Sequence, residues 1–339
     1  SIYIAINIIY IKRLHKEALA MQQEMLYVLA VYQAGSFSKA AEKLFITQPA
    51  LSIAIKKIED KIGMPLFDRS TKPLQLTAAG HIYVQNIRDM QCLEDNLTNA
   101  LQDLNFLEEG ELRLAGTQYY NSHVIPATIK KYMAKYPKVK LTLLEDNSGN
   151  LDAHLEDGSV DLVLHCGKFD ESKYKAYEVF KDYLLLAVPK EFAINKKLAG
   201  KFLTTEQIKK DYFLQTDCPI VPLSTFAQEP FLILTKSNDL RKRALAMCST
   251  ANFTPTVRFE VEQLETSAYL AASGLGATFL SDRMIKEKSM AKLCYYKLTS
   301  PEATRHFHAV LRKNSYISKV MQVFIEMSKE TWRGSVNGI

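Results

Sequence analysis

Side chains able to form directional hydrogen bonds recur at four-residue spacing in the segment FITQPALSIAIKKIE, residues 45–59. Gln48, Ser52 and Lys56 would share one face of a helix, with Pro49 and Ile53 beside them. Short polar groups in the first turns of a helix fit the major groove of DNA, where they can bond to base edges. The pattern therefore predicts that this face binds DNA selectively.

The opposite face of the same segment predicts a buried stripe. Thr47 can cap the helix, and Pro49 is tolerated in a first turn, where its missing N–H costs nothing. Apolar residues follow at spacings of four, three and four, which is one side of a helix: Leu51, Ile55, Ile58 and Ile62. We therefore expect a helix that packs on one side only.

Catalytic and metal-binding patterns are weak in this sequence. The GLGAT segment at Gly274 lacks the third glycine of a dinucleotide fingerprint, and neither a Walker loop nor a GxSxG elbow occurs. His306 and His308 would share one face of a strand without a third ligand nearby. We expect no catalytic residues, no metal and no cofactor.

The cysteines indicate a reducing compartment. Five are present, an odd number, and no two lie close enough to form a CxxC pair. Free thiols with no disulfide framework are typical of the cytoplasm. A peroxide-sensing pair is the functional alternative, which the wide separation disfavours. The residues are Cys92, Cys166, Cys218, Cys248 and Cys294.

Positive charge is concentrated at the N-terminal end. Residues 1–80 contain ten Lys or Arg against six Asp or Glu, a surplus of four, whereas the remainder contains 33 against 31 and adds two to reach the net charge of +6. A local surplus suits a polyanionic partner, although a solvated charged face is the plainer explanation.

Residues 1–20 are interpreted as an N-terminal extension, with Met21 or Met25 as a natural start. Their apolar run is too short to span a bilayer. A signal peptide would place its basic residues before the apolar run, whereas here they follow it. We expect no membrane association.

Residues 21–80 are predicted to form a helix-turn-helix domain with a wing. A first helix, 25–32, is followed by a second that Ser36 or Ser38 can cap, and the amphipathic segment is the third. Two short strands then flank a polar tip at residues 69–72.

A long segment without proline, residues 77–109, is predicted to be a linker helix. Either a second copy of the chain or the segment's own domain can cover its apolar seam. Because the segment lies between two domains, the pattern favours a dimer. The seam residues recur at spacings of three and four, as in a coiled coil: Met90, Leu93, Leu97, Ala100 and Leu104.

Beyond Gly110 strands and helices alternate, which predicts a parallel α/β sheet. The predicted strands include ELRLAG, VKLTLLE, VDLVLH and DYFLQT, and one helix is expected from Ser122 to Tyr136. We divide residues 110–335 into two lobes around a cleft. Lobe I takes residues 110–184 and 291–335, and lobe II takes residues 185–290.

The stretch AGSFSKAAEKLFITQPALSIAIKKIEDKIGMPLFDRSTKPLQLTAAG resembles the LysR-type transcriptional regulators at many fixed positions. GELRLAGTQYYNSHVIP, EDNSGNLDAHLEDGSVDLVL and AASGLGATFLS look like the effector-binding domain of that family. The resemblance runs from about Met25 to Lys329. It implies a two-lobed effector domain with a periplasmic-binding-protein-like fold, and a dimer or tetramer that binds double-stranded promoter DNA and responds to a small molecule.

Carried over by position, the resemblance implies two sets of DNA-contacting residues. Arg69 and Lys72 would lie in the wing at the backbone or minor groove. The family usually has polar residues at the two positions after Ser52, and here Ile53 and Ala54 stand there. Contact with a thymine methyl group and packing within the chain both remain open for Ile53. The other expected contacts are Ser36, Ser38, Thr47, Gln48, Pro49, Ser52 and Lys56.

The resemblance also implies an effector site at the ends of parallel strands, where helix N-termini point their free N–H groups. Because its side chains are neutral donors and acceptors, we expect a small anion such as a carboxylate. Turn or cap roles are the alternative for each residue. Lobe I would contribute Thr117, Gln118, Tyr119, Asn147 and Ser148, and lobe II would contribute Gln215, Thr216 and Thr266.

These observations together predict a ligand-responsive DNA-binding regulator with a winged helix-turn-helix domain, a linker helix and a two-lobed α/β domain. The alternative is a solute-binding or enzymatic α/β domain whose N-terminal helices serve only for assembly.

Overall fold

The structure, a computed structural model, describes residues 20–104, 110–236, 238–288 and 290–333. By its contacts the chain divides into two units, Ser1–Asp95 and Asn96–Ile339. The extension expected at residues 1–20 lies outside the described residues, except for residue 20. None of the described helices combines the length and the apolar character needed to cross a membrane.

Three helices build the core of the first unit: α1 (20–34), α2 (Phe37–Lys43) and α3 (Gln48–Ile62). Thr47 caps α3 by accepting a hydrogen bond from the N–H of Ala50, and Gly63 ends it in the left-handed region at φ 78°. Ser36 is the N-cap of α2 but makes no capping hydrogen bond with its side chain. The predicted buried stripe is present at Leu51, Ile55 and Ile58, whereas Ile62 is exposed.

A two-stranded wing follows α3 and is tied to it by one carboxylate. Strands β1 (Phe67–Asp68) and β2 (Gln75–Leu76) pair antiparallel. Glu59 on α3 accepts hydrogen bonds from the N–H groups of Leu66 (2.8 Å) and Phe67 (3.3 Å). The wing therefore takes its orientation from the last turns of α3.

The first turn of the helix that follows the wing requires a glycine. Helix α4 (Ala78–Leu104) starts directly after β2, and the Thr77 hydroxyl both donates to the carbonyl of Pro65 (2.6 Å) and accepts from the N–H of Gly80 (3.0 Å). A Cβ at Gly80 would lie 2.0 Å from the carbonyl oxygen of Leu66. Only glycine allows the helix to approach the wing so closely.

Helix α4 leaves an apolar stripe in solvent. Of the predicted seam, Met90, Leu93 and Leu97 are exposed and Ala100 is half-buried, while the side chain of Leu104 lies outside the described residues. Leu101, which the sequence pattern did not single out, is also exposed. The second half of α4, from Asn96 onward, belongs to the second unit and bonds to the rest of that unit through polar residues.

These polar contacts join the second half of α4 to one loop within the second unit. Asn96 donates to the carbonyl of Asn314 (2.8 Å) and accepts from the N–H of Tyr316 (2.6 Å). Asp103 accepts from the Tyr316 hydroxyl and from the N–H of Lys319, both at 2.9 Å. The polar side of α4 is therefore anchored while its apolar stripe stays uncovered.

The second unit is built on one long strand that takes part in two sheets. Strand β6 (Tyr174–Pro189) pairs with β11 along its first part and with β9 and β10 along its second part. Beyond β11 the sheet continues through β5, β3 and β4, and these three strands run parallel to one another. The other strands are β3 (Gly110–Gly116), β4 (Val139–Glu145), β5 (Leu162–His165), β7 (Pro230–Leu234), β8 (Thr256–Val261), β9 (Thr278–Ser281), β10 (Leu293–Lys297) and β11 (Thr304–Arg312).

Helices follow most of these strands, as expected for an α/β unit. Strand β6 changes partners near residue 184, from β11 to β9 and β10. The helices are α5 (Gln118–His123), α6 (Ile125–Lys135), α7 (Leu151–Glu156), α8 (Ala193–Lys197), α9 (Thr205–Lys209), α10 (Asp239–Thr250), α11 (Leu264–Ala272), α12 (Asp282–Glu287) and α13 (Lys319–Arg333).

Two expectations about this unit are wrong. The single helix from Ser122 to Tyr136 is two helices, α5 and α6, because a new helix starts around Pro126, which lacks an N–H to continue the first. The predicted strand DYFLQT is a 3₁₀ turn, Tyr212–Leu214, because Asp211 adopts a left-handed backbone at φ 54°.

Candidate functional site

The first turns of α3 form an exposed polar surface. Thr47, Gln48 and Pro49 are exposed, and Ser52 is half-buried, whereas Leu51 between them is fully buried. The Thr47 hydroxyl is engaged as the helix cap, which leaves Gln48 and Ser52 as the side chains with free hydrogen-bonding groups facing outward. Lys56 extends the same face and is exposed.

Ile53 interrupts this polar surface with an apolar side chain. It is 58% exposed, so packing within the chain, one of the two interpretations left open by the sequence, is wrong. The neighbouring stripe residue Ile55 is fully buried, which shows that the helix has an unambiguous inner face. Ile53 therefore belongs to the outer face with Gln48 and Ser52.

The two basic residues of the wing that were predicted to contact DNA differ in how firmly the protein holds their side chains. Lys72 in the wing is exposed. Arg69 donates to the Glu59 carboxylate at 3.0 Å and stacks over the Phe37 ring, 5.2 Å from its centroid. Arg69 is therefore held in position by α3, a contact that no pattern in the sequence indicates. Ser38 is exposed, and Ser36 is half-buried.

A cleft of about 270 Å³ lies within the second unit, at the ends of β3, β4 and β5 and the starts of α10 and α11. Five predicted residues line it: Thr117, Gln118, Tyr119, Asn147 and Ser148. The other lining residues are Glu145, Asp146, His165, Cys166, Gly167, Leu234, Asn238, Asp239, Leu240, Glu262, Gln263, Leu264, Arg305 and Phe307.

The three residues expected from lobe II do not line this cleft. Gln215 and Thr216 follow the 3₁₀ turn that replaces the predicted strand, and both are exposed. Thr266 is exposed on α11. The residues that lobe II contributes in their place include Asn238 and Gln263, the N-caps of α10 and α11. Both follow a parallel strand. The expectation that ligands bind at the ends of parallel strands, which identified Thr117, would therefore also have identified them.

Arg305, which lines the cleft, belongs to a buried ion pair. The guanidinium of Arg305 on β11 donates to both carboxylate oxygens of Asp182 on β6, with Nε 2.6 Å from Oδ1. Asp182 also accepts from the hydroxyls of Tyr119 (2.7 Å) and Ser281 (2.9 Å). Burial alone would raise the pKa of Asp182, but Arg305 and these hydrogen bonds together lower it.

This network changes the role expected for Tyr119. Its side chain lines the cleft but its hydroxyl is directed to Asp182 and Ser281, and burial together with the Asp182 charge raises its pKa well above the ordinary value. Its hydroxyl is therefore a structural donor, and the part of Tyr119 available to a ligand is its ring.

Hydrogen bonds join lobe II to lobe I along one side of the cleft. The Ser148 hydroxyl accepts from the N–H of Asp239 (3.1 Å), and Arg243 on α10 donates to the Asp239 carboxylate (2.6 Å) and to the carbonyl of Cys166 (3.0 Å). Burial raises the pKa of the Cys166 thiol to about 12. At neutral pH this thiol keeps its proton, so it is a poor nucleophile.

The histidines noted in the sequence make ordinary strand contacts. His306 approaches the Glu178 carboxylate at 3.0 Å, and His308 packs edge-to-face against Phe169. The described residues bring together no group of three or more His, Cys, Asp or Glu side chains suited to a metal ion.

Two family models match the chain. The model described as "LysR substrate binding domain" matches residues 107–333. The model described as "Bacterial regulatory helix-turn-helix protein, lysR family" matches residues 23–81. The first covers the unit that holds the cleft, and the second covers α2, α3 and the wing.

Similar proteins and structures agree with these matches. The uncharacterized HTH-type transcriptional regulator YcgK of Bacillus subtilis is 28% identical over 307 residues, 91% of this chain and 93% of that protein. A probable RuBisCO transcriptional regulator of Cyanophora paradoxa is 27% identical over 318 residues, covering 91% of this chain and 92% of that protein.

Among solved structures, full-length CbnR in complex with its target DNA matches with a TM-score of 0.55 and 15% identity, covering 91% of this chain and 99% of that one. A full-length OxyR variant from Pseudomonas aeruginosa matches with a TM-score of 0.59 and 20% identity, covering 91% and 95%. At these identities the structures support the fold.

Proposed function

The chain belongs to the LysR family of transcriptional regulators, with a helix-turn-helix DNA-binding domain and an effector-binding domain, and from this membership we propose how each domain works. The family match over residues 23–81 leaves no support for the alternative in which the N-terminal helices serve only for assembly. Because the protein must reach promoter DNA, we place it in the cytoplasm.

We propose that the outer face of α3 enters the major groove. The observation that carries this proposal is the exposure of Gln48, Pro49 and Ile53 beside the fully buried Leu51. Gln48 can bond to a base edge with both its amide oxygen, which accepts, and its amide nitrogen, which donates, a contact suited to adenine. Ser36, Ser38, Thr47 and Lys56 would approach the flanking phosphates, and Lys72 would extend these contacts from the wing.

For Arg69 we propose a supporting role. Its bond to Glu59 and its stacking on Phe37 fix the wing against α3, so that Lys72 is held at a constant distance from the groove. Arg69 can still touch the DNA backbone, since its side chain is 48% exposed.

The test of this proposal is selection of duplexes from a randomised pool by the full-length protein. We expect an enriched sequence and a complex whose affinity falls roughly a thousandfold between about 50 and 200 mM salt, since phosphate contacts release counterions. Gln48→Ala should reduce the preference for the enriched sequence by about 1–3 kcal/mol if the amide reads a base.

Lys57→Ala is a matched control for Gln48→Ala. Lys57 is exposed on the same helix, and its side chain would interact with DNA through its charge and not by reading a base. It should weaken all duplexes about equally and lower the salt slope. A protein that enriches no sequence at any salt would contradict the proposed function. Unchanged discrimination by Gln48→Ala would show that this residue does not read a base.

We propose that the cleft between the lobes binds the effector. Its volume suits a small metabolite, and Thr117, Gln118 and Asn147 place hydroxyl and amide groups on its wall. Gln263 makes no capping bond with its side chain, which leaves the first N–H groups of α11 available to a ligand. An effector that bridges both lobes would bias their arrangement and so the spacing of the DNA-binding domains.

For the effector itself we propose a small monoanion. The cation on the cleft wall is Arg305, already paired with Asp182, while Glu145, Asp146, Asp239 and Glu262 also line the cleft. One negative charge can be accepted by the α11 N–H groups and Arg305. A second would have to approach those carboxylates, which repel it.

Thermal shift with panels of monocarboxylates, dicarboxylates and amines tests this proposal. A monocarboxylate should raise the melting temperature, because a ligand at about 100 times its Kd stabilises the native state by roughly 2.7 kcal/mol. Gln118→Ala should weaken the ligand about tenfold by removing one hydrogen bond.

Gln215→Ala is the matched control, since this glutamine lies outside the cleft. It should leave the shift unchanged. A response to amines or dicarboxylates alone would contradict the monoanion, and equal losses in the two glutamine variants would contradict the assignment of the cleft.

A further inference from the structure

Two rows of side chains run along the outer face of α3. Gln48, Ser52 and Lys56 form the first row at four-residue spacing, and Pro49, Ile53 and Lys57 form the second. The first row is polar throughout, whereas the second presents an apolar side chain between a proline and a lysine. The two rows are adjacent, so a groove that accepts one accepts the other.

Ile53 has no packing role that would explain it. It is 58% exposed, and the inner face of α3 is already completed by Leu51, Ile55 and Ile58, each buried. An exposed isoleucine in the middle of a polar surface gains stabilisation only when something apolar covers it. In the major groove the 5-methyl group of thymine is the one apolar group that the four base pairs present.

We infer that Ile53 reads a thymine 5-methyl group in each half-site, an inference that rests on the proposed entry of α3 into the groove. The contact removes apolar surface of both partners from water and requires no hydrogen bond. Cytosine at the same position lacks this methyl group, so the apolar contact is lost there. Ile53 therefore selects thymine over cytosine through the methyl group and not through a hydrogen bond.

The distinguishing experiment removes or adds that methyl group alone. The probe is the duplex enriched by the full-length protein, with each thymine replaced in turn by deoxyuridine. We expect one thymine per half-site whose replacement weakens the wild-type complex about fourfold, the effect of one buried methyl group. Cytosine at that position should weaken binding at least as much, because it also lacks the methyl group, and 5-methylcytosine should recover part of the loss.

Variants assign the effect to this side chain. Ile53→Ala should reduce the deoxyuridine effect at that thymine to less than twofold, and Ile53→Val should retain most of it. Met64→Ala is the matched control, because Met64 is 59% exposed but lies beyond Gly63 at the far end of α3. It should keep the full fourfold effect.

The outcomes separate the inference from the function on which it rests. If no duplex is enriched, the proposed function fails and the inference fails with it. If a duplex is enriched but no thymine shows a methyl effect, or if Ile53→Ala keeps that effect, DNA binding stands and the role of Ile53 is overturned.

Discussion

Replacing Arg305 by methionine is expected to destabilise the effector domain by about 3–5 kcal/mol, because it leaves the Asp182 carboxylate buried without its cation. Asp182 is fully buried, and two of its partners, the hydroxyls of Tyr119 and Ser281, are neutral donors that cannot replace a guanidinium. Urea unfolding of the full-length protein, followed by the fluorescence of Trp332 in the same unit, measures the loss.

The contribution of Asp182 to the pH dependence of the free energy of unfolding should also change sign. In the wild-type protein the pKa of Asp182 is lowered, so its contribution is present above the unfolded value of about 3.9 and is lost as the pH falls through the folded value. In Arg305→Met, burial acts without a compensating cation and raises that pKa. The variant should therefore gain stability from this group as the pH falls toward the unfolded value of about 3.9, whereas the wild type gains none from it.

Two further variants separate the charge from the packing. Tyr119→Phe removes one hydrogen bond to Asp182 and should cost only about 1–2 kcal/mol. The double variant Asp182→Leu with Arg305→Met removes both charges and should recover much of the stability lost in the single variant. An Arg305→Met protein as stable as the wild type, or a double variant no better than the single one, would contradict a coupled pair.

The second large effect is expected from a charge placed on the apolar stripe of α4. Leu97 is 62% exposed, and Leu93 and Leu101 beside it are exposed as well. A helix that leaves such a stripe uncovered is stabilised by a partner, and we propose that a second copy of this chain covers it. Leu97→Glu would bury two like charges in that seam and should weaken the dimer at least a hundredfold.

Sedimentation velocity of the full-length protein measures the assembly directly. The wild type should sediment as a dimer or tetramer and Leu97→Glu largely as a monomer at micromolar concentration. Affinity for a duplex with two half-sites about one helical turn, roughly 34 Å, apart should fall with it, because the second half-site is then no longer bound by a linked domain.

Gln91→Glu adds the same charge to α4 away from the stripe, on an exposed residue. It should leave both the assembly and the DNA affinity unchanged. If Leu97→Glu also sediments like the wild type, a second copy does not cover the stripe; if Gln91→Glu dissociates as well, the effect belongs to net charge and not to the seam.

Local rules account for the parts of the molecule that were predicted well. The cap at Thr47, the buried stripe from Leu51 to Ile58 and the end of α3 at Gly63 each depend on residues within one or two helical turns. The same holds for Thr117, which follows β3 and caps α5. For such features the sequence alone specifies the conformation, since every interacting group is close along the chain.

Errors arose where one backbone conformation redirected a segment. The left-handed Asp211 turned an expected strand into a 3₁₀ turn, and with it Gln215 and Thr216 left the expected cleft. The short run of consecutive apolar residues in DYFLQT is compatible with either conformation, so periodicity alone could not decide between them. Asn238 and Gln263, which line the cleft in their place, could have been predicted from the sequence, because each follows a parallel strand.

The family, the amphipathic helix α3 and the apolar seam of α4 could all be inferred from the sequence, because each is a pattern of neighbouring residues. Which charges meet depends on the fold. Asp182 and Arg305 face each other through the register of β6 with β11, and Glu59 reaches Arg69 because the wing folds back onto α3. Pairings between residues distant along the chain depend on how strands align and cross, which no local pattern encodes.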